Sequence, residues 1–280
     1  MERFCDLHTH SMASDGTDSP RALAFAAKKA GLFAVALCDH NTVAGLSQFT
    51  EACIEAGIEA VPGIEFSTDY EGKELHILAL FVKSEHYGKI NDLLEDVKKR
   101  KEAANIALAR SLSAAGYEID YDEIKEKSGG YVNRAHFATE MMEKGYAPSV
   151  REAFDTYLVE SAGFYKSPGR LLAIDVIKFI RSIGSAPVLA HPFLNLTEEE
   201  LREFLPVAKE AGLCAMETDY ATYSEETAVL AREIADSFGI LRSGGSDYHG
   251  ERKPDIAIGR GRGNLRVPYS YLEKIHNDVY

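Results

Sequence analysis

Polar and apolar positions along the chain follow two periods. Short apolar segments of strand length, Arg3–His8, Phe33–Cys38, Glu59–Phe66 and Leu75–Val82, lie between stretches with apolar residues every three to four positions. Ser19–Ala30 is expected to be a helix, with Ser19 as N-cap, Pro20 in the first position and Gly31 just past the end. Val43–Ala56 is a second helix, closed by Gly57. Strands alternating with helices predict a parallel α/β arrangement. From His86 to Leu158 the pattern becomes helical throughout. Ile90, Leu93, Leu94 and Val97 mark an apolar face, and Gly116 is a stop. The alternation then returns with helix Ile174–Ile183, strand Ala186–Ala190 and a helix opened by the capping box Thr197/Glu200 and ended at Ala211–Gly212. Strand Leu213–Glu217, helix Glu225–Phe238 and a last strand Ile240–Ser243 complete it. The whole reads as an α/β fold, a distorted or incomplete βα barrel of residues 1–85 and 165–280, with a helical insertion over 86–164.

Composition narrows the functional classes. The length of 280 residues suits one barrel-sized domain or two smaller ones, and 45% hydrophobic residues suffice for a proper core. A formal charge of −13 argues against a groove that tracks long nucleic acid, but leaves room for a local pocket for a small anion. The cysteines Cys5, Cys38, Cys53 and Cys214 form no CxxC pair and are expected to be reduced thiols. No apolar run is long enough for a membrane span, so no membrane partner and a cytoplasmic location are expected.

The chemistry-bearing residues gather at strand ends. His8, His10, His40, His76, His191 and His249, six of the 9 histidines, lie within or just after strand-like segments. Asp15, Asp39, Glu65 and Asp247 accompany them. In a βα barrel the carboxyl ends of the strands share one face, which carries the active site. An isolated HxH or AHP is a weak signal, and His76 alone reads better as a hydrogen-bonded core residue. Together, so many buried polar groups need a common partner, because each one left unpaired costs about 1–3 kcal/mol. Imidazole and carboxylate donors suit Zn, Mn or Fe.

The elements "DLHTHSMASDG", "CDHNT", "GIEFS" with "LHILAL", "VLAHP" and "GGSDYH" resemble, in order, those of the PHP (polymerase and histidinol phosphatase) family of metal-dependent phosphoesterases. The resemblance runs from the start to about residue 250 and is closest to stand-alone members with a helical insertion. It implies a distorted (β/α)7 barrel with two to three divalent metal ions. One would be held by His8, His10, Glu65 and Asp247. A second would share Glu65, whose carboxylate has two oxygens, and add His76 and His191. A third would take Asp15, His40 and His249. The implied reaction is hydrolysis of a small phosphorylated substrate: a nucleotide bisphosphate, a short oligonucleotide end or a sugar cyclic phosphate. Hydroxide held between two metals would attack phosphorus, with Asp247, His191 and His249 as the candidate catalytic groups. A C–N bond amidohydrolase and a catalytically silent accessory barrel are the rival readings.

A second polar group lies in the insertion, in "YVNRAHFATEMMEKG". Asn133 is a good N-cap, which puts Arg134 and His136 in the first turn of a helix, where free N–H groups and the dipole favour an anion. A capped surface helix with an incidental arginine is the plain alternative. The resemblance implies that Arg134 and His136 hold substrate phosphate. Relatives often carry a basic, lysine-containing turn after the insertion; here "VESAGFYKSPGR" has Glu160 and Ser161, with Lys166 and Arg170 nearby. "GRGRGNLR" is a further basic loop, for which a plain surface role competes with a phosphate contact.

Overall fold

A computed structural model describes residues 2–128 and 132–279. The chain separates into two compact units, residues 1–91 with 171–280, and residues 92–170. The first half of the larger unit runs β1 (Phe4–Asp6), α1 (Pro20–Lys29), β2 (Ala34–Leu37), α2 (Leu46–Ala56), β3 (Glu59–Tyr70) and β4 (Lys73–Leu80). Helix α3 (Tyr87–Ala114) leads into the smaller unit, with α4 (Tyr121–Lys127), α5 (Arg134–Glu143) and α6 (Val150–Tyr157). The larger unit resumes with β5 (Leu171–Leu172), α7 (Ala173–Ser182), β6 (Ala186–Leu189), α8 (Glu198–Ala211), β7 (Ala215–Tyr220), α9 (Glu225–Phe238), β8 (Leu241–Gly245), β9 (Val267–Pro268) and α10 (Tyr269–Val279).

Local chemistry fixes the helix ends. Ser19 caps α1 by accepting from the Ala22 N–H, and Gly57 ends α2 in the left-handed conformation. Thr197 and Glu200 form the expected capping box on α8, and Ser224 caps α9.

The sheet is an α/β barrel that nearly closes. Its order is β8-β7-β6-β4-β3-β2-β1-β9, with β5 beside β3. The seam between β1 and β8 is bridged by the Leu7 N–H donating to the Gly244 carbonyl at 3.2 Å and by a parallel bridge between Thr9 and Tyr248. Parallel pairing holds for β1–β2–β3 and for β6–β7–β8. It fails in the middle: β3 and β4 are antiparallel, and so are β4 and β6. The cause is local. Strand β3 continues past Phe66 to Tyr70 and turns at Glu71 and Gly72, both at positive φ, the geometry of a two-residue hairpin. No crossover helix fits there, so β4 returns antiparallel. Ile240–Ser243 is also not the final strand, since β9 pairs antiparallel with β1 and α10 follows it.

The barrel interior is filled by small and branched residues, among them Cys5, Ala34, Val61, Leu80 and Val188, with Leu272 and Ile275 added from α10. All four cysteines are free and buried, and burial pushes the Cys53 and Cys214 thiols up to about 12. The smaller unit has its own core around Leu108, Leu112, Ile124, Phe137, Met141 and Leu158.

Candidate metal centre

Strand ends place the donor groups. His8 and His10 follow β1, His40 follows β2, His191 follows β6, and Asp247 and His249 follow β8. Glu65 lies within β3 and His76 within β4. His76 pairs with Ser67, two residues beyond Glu65, so both side chains leave the same face of the hairpin. A parallel bridge between His40 and Glu65 extends the ladder to the site itself. Two of these residues, His191 (φ 27) and Asp247 (φ 53), hold positive φ, a conformation that costs about 1–3 kcal/mol at a non-glycine residue and clusters at functional sites.

Glu65 is the hub. Its Oε1 lies 2.7 Å from His76 Nδ1 and 3.2 Å from His191 Nε2. Its Oε2 lies 3.2 Å from His8 Nε2, 3.2 Å from His10 Nε2 and 3.1 Å from His40 Nδ1. Two imidazole nitrogens, His8 Nε2 and His10 Nε2, stand only 3.0 Å apart. Asp247 Oδ1 lies 3.2 Å from His10 Nε2 and 3.4 Å from His249 Nδ1. Asp15 Oδ1 lies 3.2 Å from His249 Nε2, with His40 and His10 at 4.0 and 3.9 Å. The donors therefore fall into overlapping sets: His8/His10/Asp247, His8/Glu65/His191, His40/Glu65/His76 and His10/Asp15/His40/His249.

The residues fit divalent metal. His8, His10 and Glu65 are fully buried. Yet Glu65 Oε2 and the Nδ1 atoms of His10, His40 and His191 have no aligned hydrogen-bond partner among the described residues. Glu65 Oε2 and His40 Nδ1, 3.1 Å apart with no aligned hydrogen bond, make a poor hydrogen-bonded pair and a good pair of metal donors.

Electrostatics tells the same story from the metal-free side. Burial alone would push the His8 imidazole down, but the carboxylates of Glu65, Glu217 and Asp247 carry it well above its usual value. His76, also opposed by burial, is lifted to about 10 by Glu65 and Glu74. His40 is pushed down to about 4 by burial, which Glu65 only partly offsets. Burial would raise Glu65, yet His8, His76 and His40 hold it well below the carboxylate range. Cations that bind at such coupled imidazole and carboxylate donors compete with protons.

A cavity of about 330 Å³ opens onto this cluster, lined by Glu65, His76, His191, Asp247 and His249, and also by Tyr220 and Lys253. The sequence reading missed several of its supports. Glu217, wholly buried in β7, accepts from His8 Nδ1 at 3.0 Å and from the His191 backbone N–H at 2.7 Å. Tyr220 and Lys253 both donate to Asp247 Oδ2, each at 2.6 Å. Asp6 accepts from the Ser246 N–H and hydroxyl, fixing the loop that carries Asp247. Asp39, grouped in sequence with the metal-type acids, turns its oxygens to Ser11 and Ser14 and braces the Asp15 loop. An acid ending the apolar run "LCAME" was the available signal for Glu217; Lys253 offered none.

In the smaller unit, Arg134 and His136 open α5 as read. His136 Nδ1 accepts from the Asn133 N–H, and Asn133 accepts from the Ala135 and His136 N–H groups, a complete capping box. Arg134 donates to the Leu158 carbonyl at 3.2 Å and stacks 4.6 Å from the Tyr165 ring. Glu160 accepts from the Ser167 N–H at 2.7 Å.

A nearly closed α/β barrel with imidazole and carboxylate donors crowded at its strand ends defines a metal-dependent hydrolase scaffold. The chain belongs to the PHP domain family, whose model matches residues 6–158. A 5'-3' exoribonuclease of Haemophilus influenzae is 34% identical over 251 residues, covering 89% of this chain and 91% of that protein. A phosphoribosyl 1,2-cyclic phosphate 1,2-diphosphodiesterase of Eggerthella lenta is 28% identical, covering 90% and 97% of the two chains. Among solved structures, one described as a metal-dependent phosphoesterase of Bifidobacterium adolescentis superposes with a TM-score of 0.75 at 26% identity, over 99% of this chain and 97% of the other. The chain is accordingly a metal-dependent hydrolase of phosphoric esters. Among the described residues, no helix is long and apolar enough to cross a membrane.

Proposed function

We propose that this enzyme cleaves phosphoric esters of nucleotide size, foremost at the end of a short oligonucleotide. Nucleoside bisphosphates and sugar cyclic phosphates are the other members of its class. The observation that carries the reading is Glu65, whose Oε1 meets His76 and His191 while Oε2 meets His8, His10 and His40. A carboxylate shared in this way can bridge two ions. The exoribonuclease name of the Haemophilus influenzae protein supports the oligonucleotide end, and the −13 charge favours a short substrate over a long one.

In this reading His8, His10, Glu65 and Asp247 hold one ion, Glu65, His76 and His191 a second, and Asp15, His40 and His249 a third. Bound there, two or three divalent ions (Mn, Zn or Fe) supply charge for the phosphoryl oxygens and lower the pKa of water. The protein's part is orientation and proton handling. Glu217 accepts from His8 Nδ1, which turns Nε2 toward Glu65. Tyr220 and Lys253 occupy Asp247 Oδ2 and leave Oδ1 to the ligand cluster. That makes Asp247 a ligand first; His191 and His249, which share the cavity wall, are assigned proton transfer through the ring nitrogen that does not hold an ion. Arg134 and His136 are assigned to a substrate phosphate, the guanidinium as a charged donor. A cytoplasmic location belongs to the same reading, supported by the four unpaired cysteines.

The test is product release by the Mn-loaded enzyme across 5'-phosphorylated oligonucleotides of two to ten nucleotides, nucleoside bisphosphates and cyclic phosphates. Mononucleotide release from the short oligonucleotides supports the reading. Turnover of amides with no turnover of any phosphate ester refutes it.

A further inference from the structure

One cavity side chain stands outside the ligand set. Lys253 is the only lysine or arginine among the residues that line the 330 Å³ cavity. The acids there are Glu65, Glu74 and Asp247. Lys253 follows the short turn Gly250–Arg252 that leaves His249, and its Nζ lies 2.6 Å from Asp247 Oδ2. The Tyr220 hydroxyl donates to that same oxygen at 2.6 Å. The two ends of the pair differ: the Asp247 side chain is 8% exposed, that of Lys253 38%.

An ammonium carries three N–H donors and no acceptor. Asp247 takes one of them, and Tyr220 already serves the same carboxylate oxygen, so holding Asp247 in place does not exhaust Lys253. Its remaining donors sit on a half-exposed group at a cavity wall otherwise rich in carboxylates. A phosphate ester entering that cavity meets like charge at Glu74 and Asp247, and Lys253 is the fixed cation there that can oppose it.

We propose that Lys253 is a substrate-binding residue that donates to a phosphoryl oxygen in the cavity, with Asp247 and Tyr220 fixing the place from which it does so. The ligand class is a phosphate anion, ester or free. The inference rests on the phosphoesterase reading above and adds a substrate contact to the hold on Asp247 that reading gives Lys253.

The experiment uses the full chain loaded with Mn and inorganic phosphate as the probe, with affinity measured by calorimetry and metal content by mass spectrometry. Lys253→Met is expected to weaken phosphate binding roughly 10- to 100-fold, as for loss of a hydrogen bond to a charged group, with the metal content of the wild type. Lys253→Arg, which keeps a charged donor at the same place, should recover most of that affinity. The proposal falls if wild-type protein binds no phosphate, or if Lys253→Met binds it as tightly as wild type. It also falls if Lys253→Met loses phosphate and metal together, because Lys253 then acts only through Asp247. Failure of the phosphoesterase reading shows separately, as a wild-type enzyme that turns over no phosphate ester.

Discussion

Replacing Glu217 by glutamine exchanges one carboxylate oxygen for an amide NH₂ at a place with two donors to serve. Glu217 is wholly buried and accepts from His8 Nδ1 at 3.0 Å and from the His191 N–H at 2.7 Å. A glutamine can accept from one of them and must turn its NH₂ against the other. The loss is one charge-assisted bond, about 1.5–3 kcal/mol, plus a buried donor left without an acceptor, about 1–3 kcal/mol. Partial relaxation brings the expected destabilisation of the metal-free protein to about 2–4 kcal/mol. His8 and His191 belong to different proposed ion sites, joined through Glu65. Loosening both should therefore weaken two metal sites together, by about 10- to 100-fold each, the usual effect of losing a group that orients a metal-bound histidine. Stepwise Mn titration against a competing chelator reads the affinities, and urea unfolding of the stripped protein reads the stability. Affinities within threefold of wild type, with stability within about 0.5 kcal/mol, would refute the argument that Glu217 orients both ligands.

Gly245→Ala should destabilise the barrel by several kcal/mol and disturb metal binding, because its Cβ would stand 2.3 Å from His8 Cβ and 2.6 Å from His8 N; circular-dichroism melts check the first part and metal content the second. In the smaller unit, buried Glu140 pairs with Lys127 at 2.5 Å and Lys144 at 3.1 Å, which hold its carboxyl below the usual range although burial opposes them. A depressed folded pKa gives stability that is present above the unfolded value and lost as pH falls through the folded one. Glu140→Gln should thus cost about 1–2 kcal/mol at pH 7, discounted for the exposure of both lysines, and progressively less below about pH 4 in urea titrations. Removal of metal with EDTA should abolish ester hydrolysis and lower the melting temperature, with both restored by Mn, and rebinding should release protons measurable in a weakly buffered solution. His8→Ala and Asp15→Ala should deplete different ions when metal content is counted per chain, since their donors lie in different sets.

The sequence made its helices legible because their ends are written locally. Ser19, Thr197 with Glu200, Ser224 and Asn133 each cap the helix that follows them. Strand limits were less clear, since β1 holds only Phe4–Asp6 of the longer apolar segment and β3 runs on to Tyr70. The hairpin that reverses β4 was readable in principle from the Glu71–Gly72 turn, but the rhythm of alternation outweighed it. Helix α10 and strand β9 carry weak patterns, and pairing with β1 and packing on the barrel core are what define them.

For the site, sequence alone determined which residue types stand at strand ends: imidazoles and carboxylates placed by the period-two geometry of a strand. Tertiary structure decided everything that depends on closing the sheet. Only closure brings His8 from one end of the chain against Gly245 near the other. Only closure lets one glutamate reach five imidazoles contributed by four other segments. Glu217 meets His8 in the same way, whereas Lys253 meets Asp247 within the loop that follows β8. Neither lies in a spacing motif, and what each does is set by partners 209, 26 and 6 residues away that converge through space.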